Sequence, residues 1–560
     1  MPPQNRDADH GSQKVAADVV VVGAGLSGLV AAATAYAAGK TVAVLDQEPG
    51  ASVGGQAHWS FGGLFMVNTP EQQRLGVRDS TELALSDWLA SAAFDRSVDQ
   101  QARDWAEAYV HFASGEKRSW LRSLGVGFFP LVQWAERGGY GPQGHGNTVP
   151  RFHVTWGTGP ALVEPFLAKV LEGVDTGRVG LHFRHRALSL TTTAGRVTGV
   201  SGDVLQPSTA VRGQASGRVV MGSFEARAGA VVVTTGGIGG NHAQVRRQWP
   251  DDTAPDYMLS GVPASVDGEF LSAVESSGAA LVNGDRMWHY PEGIHNYDPV
   301  WPKHGIRILP GPSSLWLDAE GHQLPAPLFP GFDSQGALRH IVGSGHGYSW
   351  FVLNRTIALK ELALSGSEQN PDLTGKDFRL LATRLRPDSD APIQRFMDKG
   401  VDFLQAATPM ELASRMNHLT GSSLIDGDGL DSLIRARDSQ VASRLGKDPQ
   451  LSAIRASRRF ATDKLMRVAR PHRLTDPAHG PLIAIRLSVL TRKSLGGLTT
   501  DLRSRVLDDE GNNIPGLYAA GEAAGFGGGG MHGYRALEGT FLGGCLFTGR
   551  AAGRDAAASV

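Results

Sequence analysis

The chain has 560 residues, enough material for about three to four domains of ordinary size. Its 54 basic and 55 acidic side chains leave a formal net charge of −1, which excludes a strongly basic nucleic-acid binder or a polybasic membrane-surface protein. Glycine is the outlier: 72 residues, about 13% of the chain against a usual ~7%.

The first 16 residues are polar and read as a disordered tail. They contain no apolar core of a secretion signal, and no run of about 18 apolar residues follows. No membrane span is expected, and a cytoplasmic location fits. Residues 17–22 form a Val-rich run suited to a buried parallel strand. A glycine turn, an Ala-rich helix over 29–38 and a second strand over 41–45 complete one βαβ unit. Residues 80–125 read as helical, 138–159 as a Gly/His/Pro loop, and 161–171 as a helix. Strands are expected near 181–200, 218–224 and 230–235. Residues 288–335 are rich in Pro, Trp and His and lack periodicity, while 348–470 read as mostly helical. Strand-and-turn character returns over 506–520, and 536–552 reads as a closing helix.

The strongest motif is Gly23-Ala24-Gly25-Leu26-Ser27-Gly28, a G-x-G-x-x-G between a strand and a helix. Gly23 permits the tight turn, Gly25 lets the backbone approach a pyrophosphate, and Gly28 lets helix and strand pack closely. The helix N-terminus adds free amides and a positive dipole end. Asp46, at the end of the next strand, is placed to accept from a ribose hydroxyl. This unit alone does not separate NAD from FAD. Further glycine clusters at Gly54-Gly55-Gln56, Gly62-Gly63, Thr235-Gly236 and Gly521-Glu522 stand at strand ends and converge on one long cofactor. The single cysteine, Cys545, excludes an internal disulfide framework and a multi-cysteine metal centre. The histidines are scattered, so no metal site is expected.

Four segments carry a resemblance: the N-terminal fingerprint, TTGGIGGN at 234–241, DGEFLSAVESSGA at 267–279, and GLYAAGEAAG with HGYRALEG between 516 and 539. Together they resemble the FAD-dependent superfamily of fumarate reductase/succinate dehydrogenase flavoproteins and ketosteroid dehydrogenases. The resemblance implies an α/β fold, a Rossmann-like FAD-binding domain with an inserted α+β cap domain. The boundaries expected are a tail at 1–16, the FAD-binding domain at 17–285 and 478–560, and the cap at 286–477. It implies noncovalent FAD, with His58 the nearest residue that keeps covalent attachment open. Gly23, Ala24, Gly25, Ser27 and Gly28 would bind the pyrophosphate, and Asp46 and Gln47 the adenosine ribose. Gly54, Gly55, Gln56, Gly62 and Gly63 would line the pyrophosphate and flavin edge, with Ala187 at adenine. Thr235 and Gly236 would pass beside the cofactor, and Glu522 would accept from the ribityl chain. Gly539, Thr540 and Phe541 would begin the last helix, facing the flavin N1/O2 edge.

The chemistry implied is hydride transfer between flavin N5 and a carbon–carbon bond beside a carbonyl, on a ketosteroid-like or other bulky apolar ketone. The partners are then a small-molecule substrate and an unidentified electron acceptor; oligomeric state stays open. Tyr534 with Arg535 would polarise the ketone, and Tyr348 or His340 would be the base. His532 reads either as catalytic or as a hydrogen-bonded core histidine. Trp156, Trp288, Trp301, Trp316 and Trp350 could wall an apolar cavity or simply be core. Tyr140, His145 and His153 are weaker pocket candidates. The alternatives are a fumarate-type reductase, with Arg535 and Arg492 gripping a carboxylate, and an electron-carrying flavoprotein without a small substrate. Arg492 stands where fumarate reductases carry a histidine; it and Lys493 also read as an ion-paired surface turn.

Overall fold

Val19–Val22 is a central strand of a six-stranded sheet, and all four valines are buried. The computed structural model describes residues 12–139, 146–383, 392–443 and 445–560. Across the sheet the order is Arg505–Leu507, Asn513–Ala519, Ala230–Val233, Val19–Val22, Val42–Asp46 and Val179–Phe183. All neighbours are parallel except the edge strand Arg505–Leu507. Val19 pairs with Val42 on one side and with Ala230 on the other.

The valine run is uninterrupted because both faces are covered. Val19 and Val21 pack with the helices Leu26–Ala37, Thr158–Asp175 and Thr540–Ala558. Val20 and Val22 pack with Ala187, Val200 and Phe224 of a second, four-stranded sheet, and with Phe270 and Val274 of the helix Glu269–Glu275. That second sheet runs Gln13–Ala16, Val220–Arg227, Arg196–Leu205, His185–Thr193. Part of the expected tail is therefore ordered: Gln13–Ala16 pairs in parallel with Val220–Arg227. Residues 1–11 lie outside the described residues.

A mixed eight-stranded sheet is organised around the 13-residue strand Leu482–Ser494. This strand pairs with Tyr348–Asn354, Met287–His295, Phe403–Ala406 and Leu259–Ser260. Here the aperiodic segment resolves into strands, at Met287–His295, Gly305–Leu309 and Leu315–Leu317. These strands are buried almost throughout, so no alternation marks them in the sequence. The mostly helical reading of 348–470 also missed Tyr348–Asn354 and Phe403–Ala406, for the first of which the same reason holds. Their core contains Trp316, Trp350 and Phe351, packed under helices from Ser334 onward. The C-terminal end of Leu482–Ser494 runs toward the glycine turns of the parallel sheet, which fixes the position of the site.

Candidate functional site

The strand ends of the parallel sheet open into a cavity of about 620 Å³. One end is lined by Asp46, Gln47, Arg186, Ala187 and Arg218. The middle is lined by Gly23, Gly25, Ser27, Gly55, Gln56, Gly62, Gly63, Thr235 and Gly236. The other end is lined by Tyr290, Trp301, Arg307, Leu309, Leu490, Arg492, Phe526, Glu538, Gly539 and Phe541, with Lys493 and Glu522 alongside. Three arms of the structure supply it: the βαβ unit, the eight-stranded sheet, and the loop leading into the last helix.

The glycine turn is built for close approach. A Cβ on Gly25 would meet nothing within 4 Å, so the backbone there faces open space. A Cβ on Gly28 would sit 1.9 Å from the Gly23 carbonyl oxygen, so only glycine lets the helix Leu26–Ala37 start against its strand. Gly28→Val is expected to lower FAD retained after desalting at least about tenfold; full visible flavin absorbance would refute this. Asp46 is partly buried and accepts from the amides of Ala24 and Glu48, both at 2.8 Å. Burial raises its carboxyl above the usual range.

Four of the expected cofactor residues stand behind the lining. Ala24 is buried and donates to Asp46, and Gly28 is taken up by the helix contact. Gly54 packs toward Val163, and the Thr540 hydroxyl caps the Leu537 carbonyl.

The expected catalytic set is dispersed. Arg492 lines the cavity, on a buried strand rather than a surface turn. Tyr534 is drawn elsewhere: its hydroxyl donates to Asp95 at 3.3 Å, and its ring lies 4.1 Å from the Arg286 guanidinium. Arg535 pairs with Asp333 at 3.4 Å. Tyr348 lies on a strand beside His346 and Trp350, and His340 is exposed on a helix. None of these four lines the cavity. His532 is buried one layer behind it, caged by Trp88, Phe526 and Phe541. Neither of its ring nitrogens has a hydrogen-bond partner among the described residues, contrary to the hydrogen-bonded core reading. Burial holds its imidazole down at about 3.

Of the tryptophans, Trp301 lines the cavity, Trp288, Trp316 and Trp350 are core, and Trp156 stacks on Phe378 at 4.5 Å. His153 is buried between Thr69 and the Arg151 carbonyl, while Tyr140 and His145 lie outside the described residues. His58 is half-buried, off the cavity lining, and held down at about 4 by burial. Among the described residues no group of His, Cys, Asp and Glu is placed to hold a metal ion. No helix among them is long and apolar enough to cross a membrane.

The reading of the sequence missed a buried charge cluster at the far end. Arg307 pairs with Glu538 at 2.5 Å, and its Nε lies 3.5 Å from Glu292. Its guanidinium lies 3.6 Å from the centre of the Tyr290 ring. The Ser334 hydroxyl donates to Glu292 at 3.0 Å and lies 3.2 Å from Arg307. Burial pushes the Glu292 carboxyl up to about 7 and raises the Tyr290 phenol further, while the surrounding carboxylates keep Arg307 charged. Glu538 stood inside the HGYRALEG segment and could have been weighed there. Tyr290 lies on a buried strand with no local signal, and Arg307, just before 309–317, was noticed in the sequence but given no role. Nearby, the largely covered Lys493 ammonium donates to Gln56 and lies 3.5 Å from Glu522, whose other oxygen accepts from the Ser494 amide.

A doubly covered parallel sheet with a long cavity at its glycine turns defines a dinucleotide-cofactor protein. The FAD binding domain family model matches residues 18–542. A KsdD-like steroid dehydrogenase of Mycolicibacterium smegmatis is 60% identical over 546 residues, covering 97% of this chain and 99% of that protein. Fumarate reductase (cytochrome) of Shewanella frigidimarina is 25% identical, covering 96% of this chain and 77% of that one. The structure of 3-ketosteroid delta1-dehydrogenase from Sterolibacterium denitrificans, in complex with 1,4-androstadiene-3,17-dione, superposes with a TM-score of 0.68 at 18% identity, covering 97% and 100% of the two chains. The chain belongs to the FAD-binding family, and it is a FAD-dependent dehydrogenase.

The residues present fit the cofactor. The Thr235 hydroxyl is buried in the cavity wall without a hydrogen-bond partner among the described residues, and Gly25 leaves room for a diphosphate against the amides of the helix N-terminus.

Proposed function

We propose that the protein desaturates a steroid-like ketone beside its carbonyl, with the eight-stranded body, residues 286–477 and the strands flanking them, acting as the substrate-binding cap. Gly23, Gly25, Ser27, Gly55 and Thr235 would hold the diphosphate, Asp46 and Gln47 the ribose, Ala187 the adenine, and Glu522 the ribityl chain. Bound FAD supplies the two-electron acceptor that takes hydride from carbon. The protein is left with two tasks: stabilising charge on the ketone oxygen and removing one proton from the neighbouring carbon.

The observation that carries this reading is the grouping of Tyr290, Arg307 and Glu538 at the cavity end that also carries a large apolar wall. Trp301, Leu309, Leu490, Phe526 and Phe541 give that end a wall suited to a polycyclic skeleton. Burial keeps the Tyr290 phenol protonated, so it is a donor to the ketone oxygen rather than a base. Arg307 above its ring makes that donor more acidic as enolate charge develops. Glu538 lines the cavity as a carboxylate held by Arg307 and is the group to accept the carbon's proton.

The test is an anaerobic titration of the FAD-loaded protein with a saturated 3-ketosteroid. The visible flavin band is expected to bleach. A flavin that stays oxidised with neutral and with carboxylate-bearing steroid ketones alike would refute the reading.

A further inference from the structure

The far end of the cavity holds two kinds of arginine. Arg307 is spent on Glu538 and Glu292. Arg492 is not: among the described residues no carboxylate lies within 4.0 Å of its guanidinium, and its one protein acceptor is the Gly261 carbonyl. Its backbone is fixed, because its amide donates to His289 Nδ1 at 2.9 Å from within the strand Leu482–Ser494. A guanidinium carries five N–H donors, so most of them are left to face the cavity. The remaining cavity arginines are accounted for. Arg186 pairs with Asp203 and Arg218 with Glu48, both at 2.6 Å. Arg212 donates to the Val53 carbonyl beside the Gly25–Gly54 bridge, where diphosphate charge is expected.

Among the described residues Arg492 makes no hydrogen bond to that glycine turn; its guanidinium contacts the Gly261 carbonyl. Its immediate surroundings are Tyr290, Gly261 and the Trp301–His304 stack, whose rings are 3.6 Å apart. A cation placed against apolar walls, with its donors free, is a site for an anion. A protein carboxyl that feels the Arg492 charge is Glu368. Burial pushes it up to about 7, and its Oε2 makes no hydrogen bond among the described residues. It lies outside ion-pair distance and leaves the guanidinium fork open.

We infer that the substrate is an apolar ketone carrying a carboxylate on its skeleton, and that Arg492 is the residue that binds this carboxylate. This rests on the ketone-dehydrogenase reading above and narrows its substrate class. Arg492 is a specificity residue here; it moves no proton.

The experiment compares a 3-ketosteroid bearing a side-chain carboxylate with its methyl ester, using wild-type holoenzyme and the Arg492→Gln and Arg492→Lys variants, each checked for FAD content. Wild-type protein is expected to favour the acid at least about tenfold in kcat/KM, chiefly through KM, and the advantage should shrink as salt rises. The ratio of acid to ester should fall toward one in Arg492→Gln and to an intermediate value in Arg492→Lys, which lacks the bidentate fork. Equal use of acid and ester by wild-type protein would overturn the inference and leave the ketone reading standing. An acid preference that survives Arg492→Gln would do the same. Loss of thermal stability in Arg492→Gln with an unchanged acid-to-ester ratio would assign Arg492 to neutralising Glu368 instead. If neither compound reduces the flavin, the ketone reading itself fails and this inference falls with it.

Discussion

Replacing Tyr290 with phenylalanine is expected to lower kcat for ketone desaturation about 10²–10³-fold, a loss of ~3–4 kcal/mol of transition-state stabilisation. FAD content should be unchanged, because Tyr290 stands at the end of the cavity away from the glycine turns. The change removes one oxygen and keeps the ring beneath Arg307, so packing survives. KM should move little, since the donor matters most when charge gathers on the ketone oxygen. Tyr534→Phe is the comparison. Its hydroxyl contacts Asp95 on an exposed edge, and kcat within about twofold of wild type is expected, in line with surface substitutions generally. Single-turnover flavin reduction under anaerobic conditions measures both. Full activity in Tyr290→Phe, or a large loss in Tyr534→Phe, would return the donor role to the C-terminal segment.

The contrast between these two tyrosines shows where the sequence was legible. The nucleotide half of the site is local: Gly23, Gly25 and Ser27 are spaced by a turn, and Asp46 ends the next strand. Such spacing is dictated by contact with a rigid diphosphate and survives as a readable motif. The substrate half is assembled from distant segments. Tyr290, Arg307 and Arg492 come from three strands of one sheet, and Glu538 from the loop before the last helix. Strands buried on both faces carry no alternation, and their register decides which side chains reach the cavity. Met287 pairs with Ser494 but Tyr290 with Leu490, a shift of the ladder that no periodicity announces. Tyr534 and Arg535 failed to reach the cavity for a related reason. Their backbone follows the HGYRALEG segment, but Asp95 and Asp333 stand outside it and capture the side chains. A charge partner encoded elsewhere in the chain redirected a motif residue.

The same cluster that would run the chemistry should also set how stability depends on pH. Arg307 is a buried cation facing Glu538 and Glu292, with Glu136 close enough to repel Glu292. Glu292 titrates at about 7 in the folded protein against an ordinary 4.5, chiefly because it is buried. The folded state therefore binds a proton that the unfolded state has released between those values, and stability falls as pH rises across that window. The contribution is fully present below about 4.5 and lost as pH passes through about 7. Glu292→Gln, which cannot ionise, should flatten this decline. Arg307→Leu should steepen it, because the carboxylates lose the cation between them. At pH 8 the loss should reach about 3–5 kcal/mol, the cost of stranding a buried charge, and it should shrink by pH 5, where Glu292 carries its proton. Thermal unfolding midpoints of the three proteins between pH 5 and 8 provide the measurement. Parallel pH profiles for wild type and Glu292→Gln would mean that Glu292 does not change protonation on unfolding in this range. A pH-independent gap between wild type and Arg307→Leu would mean that Arg307 acts by packing against Tyr290 alone.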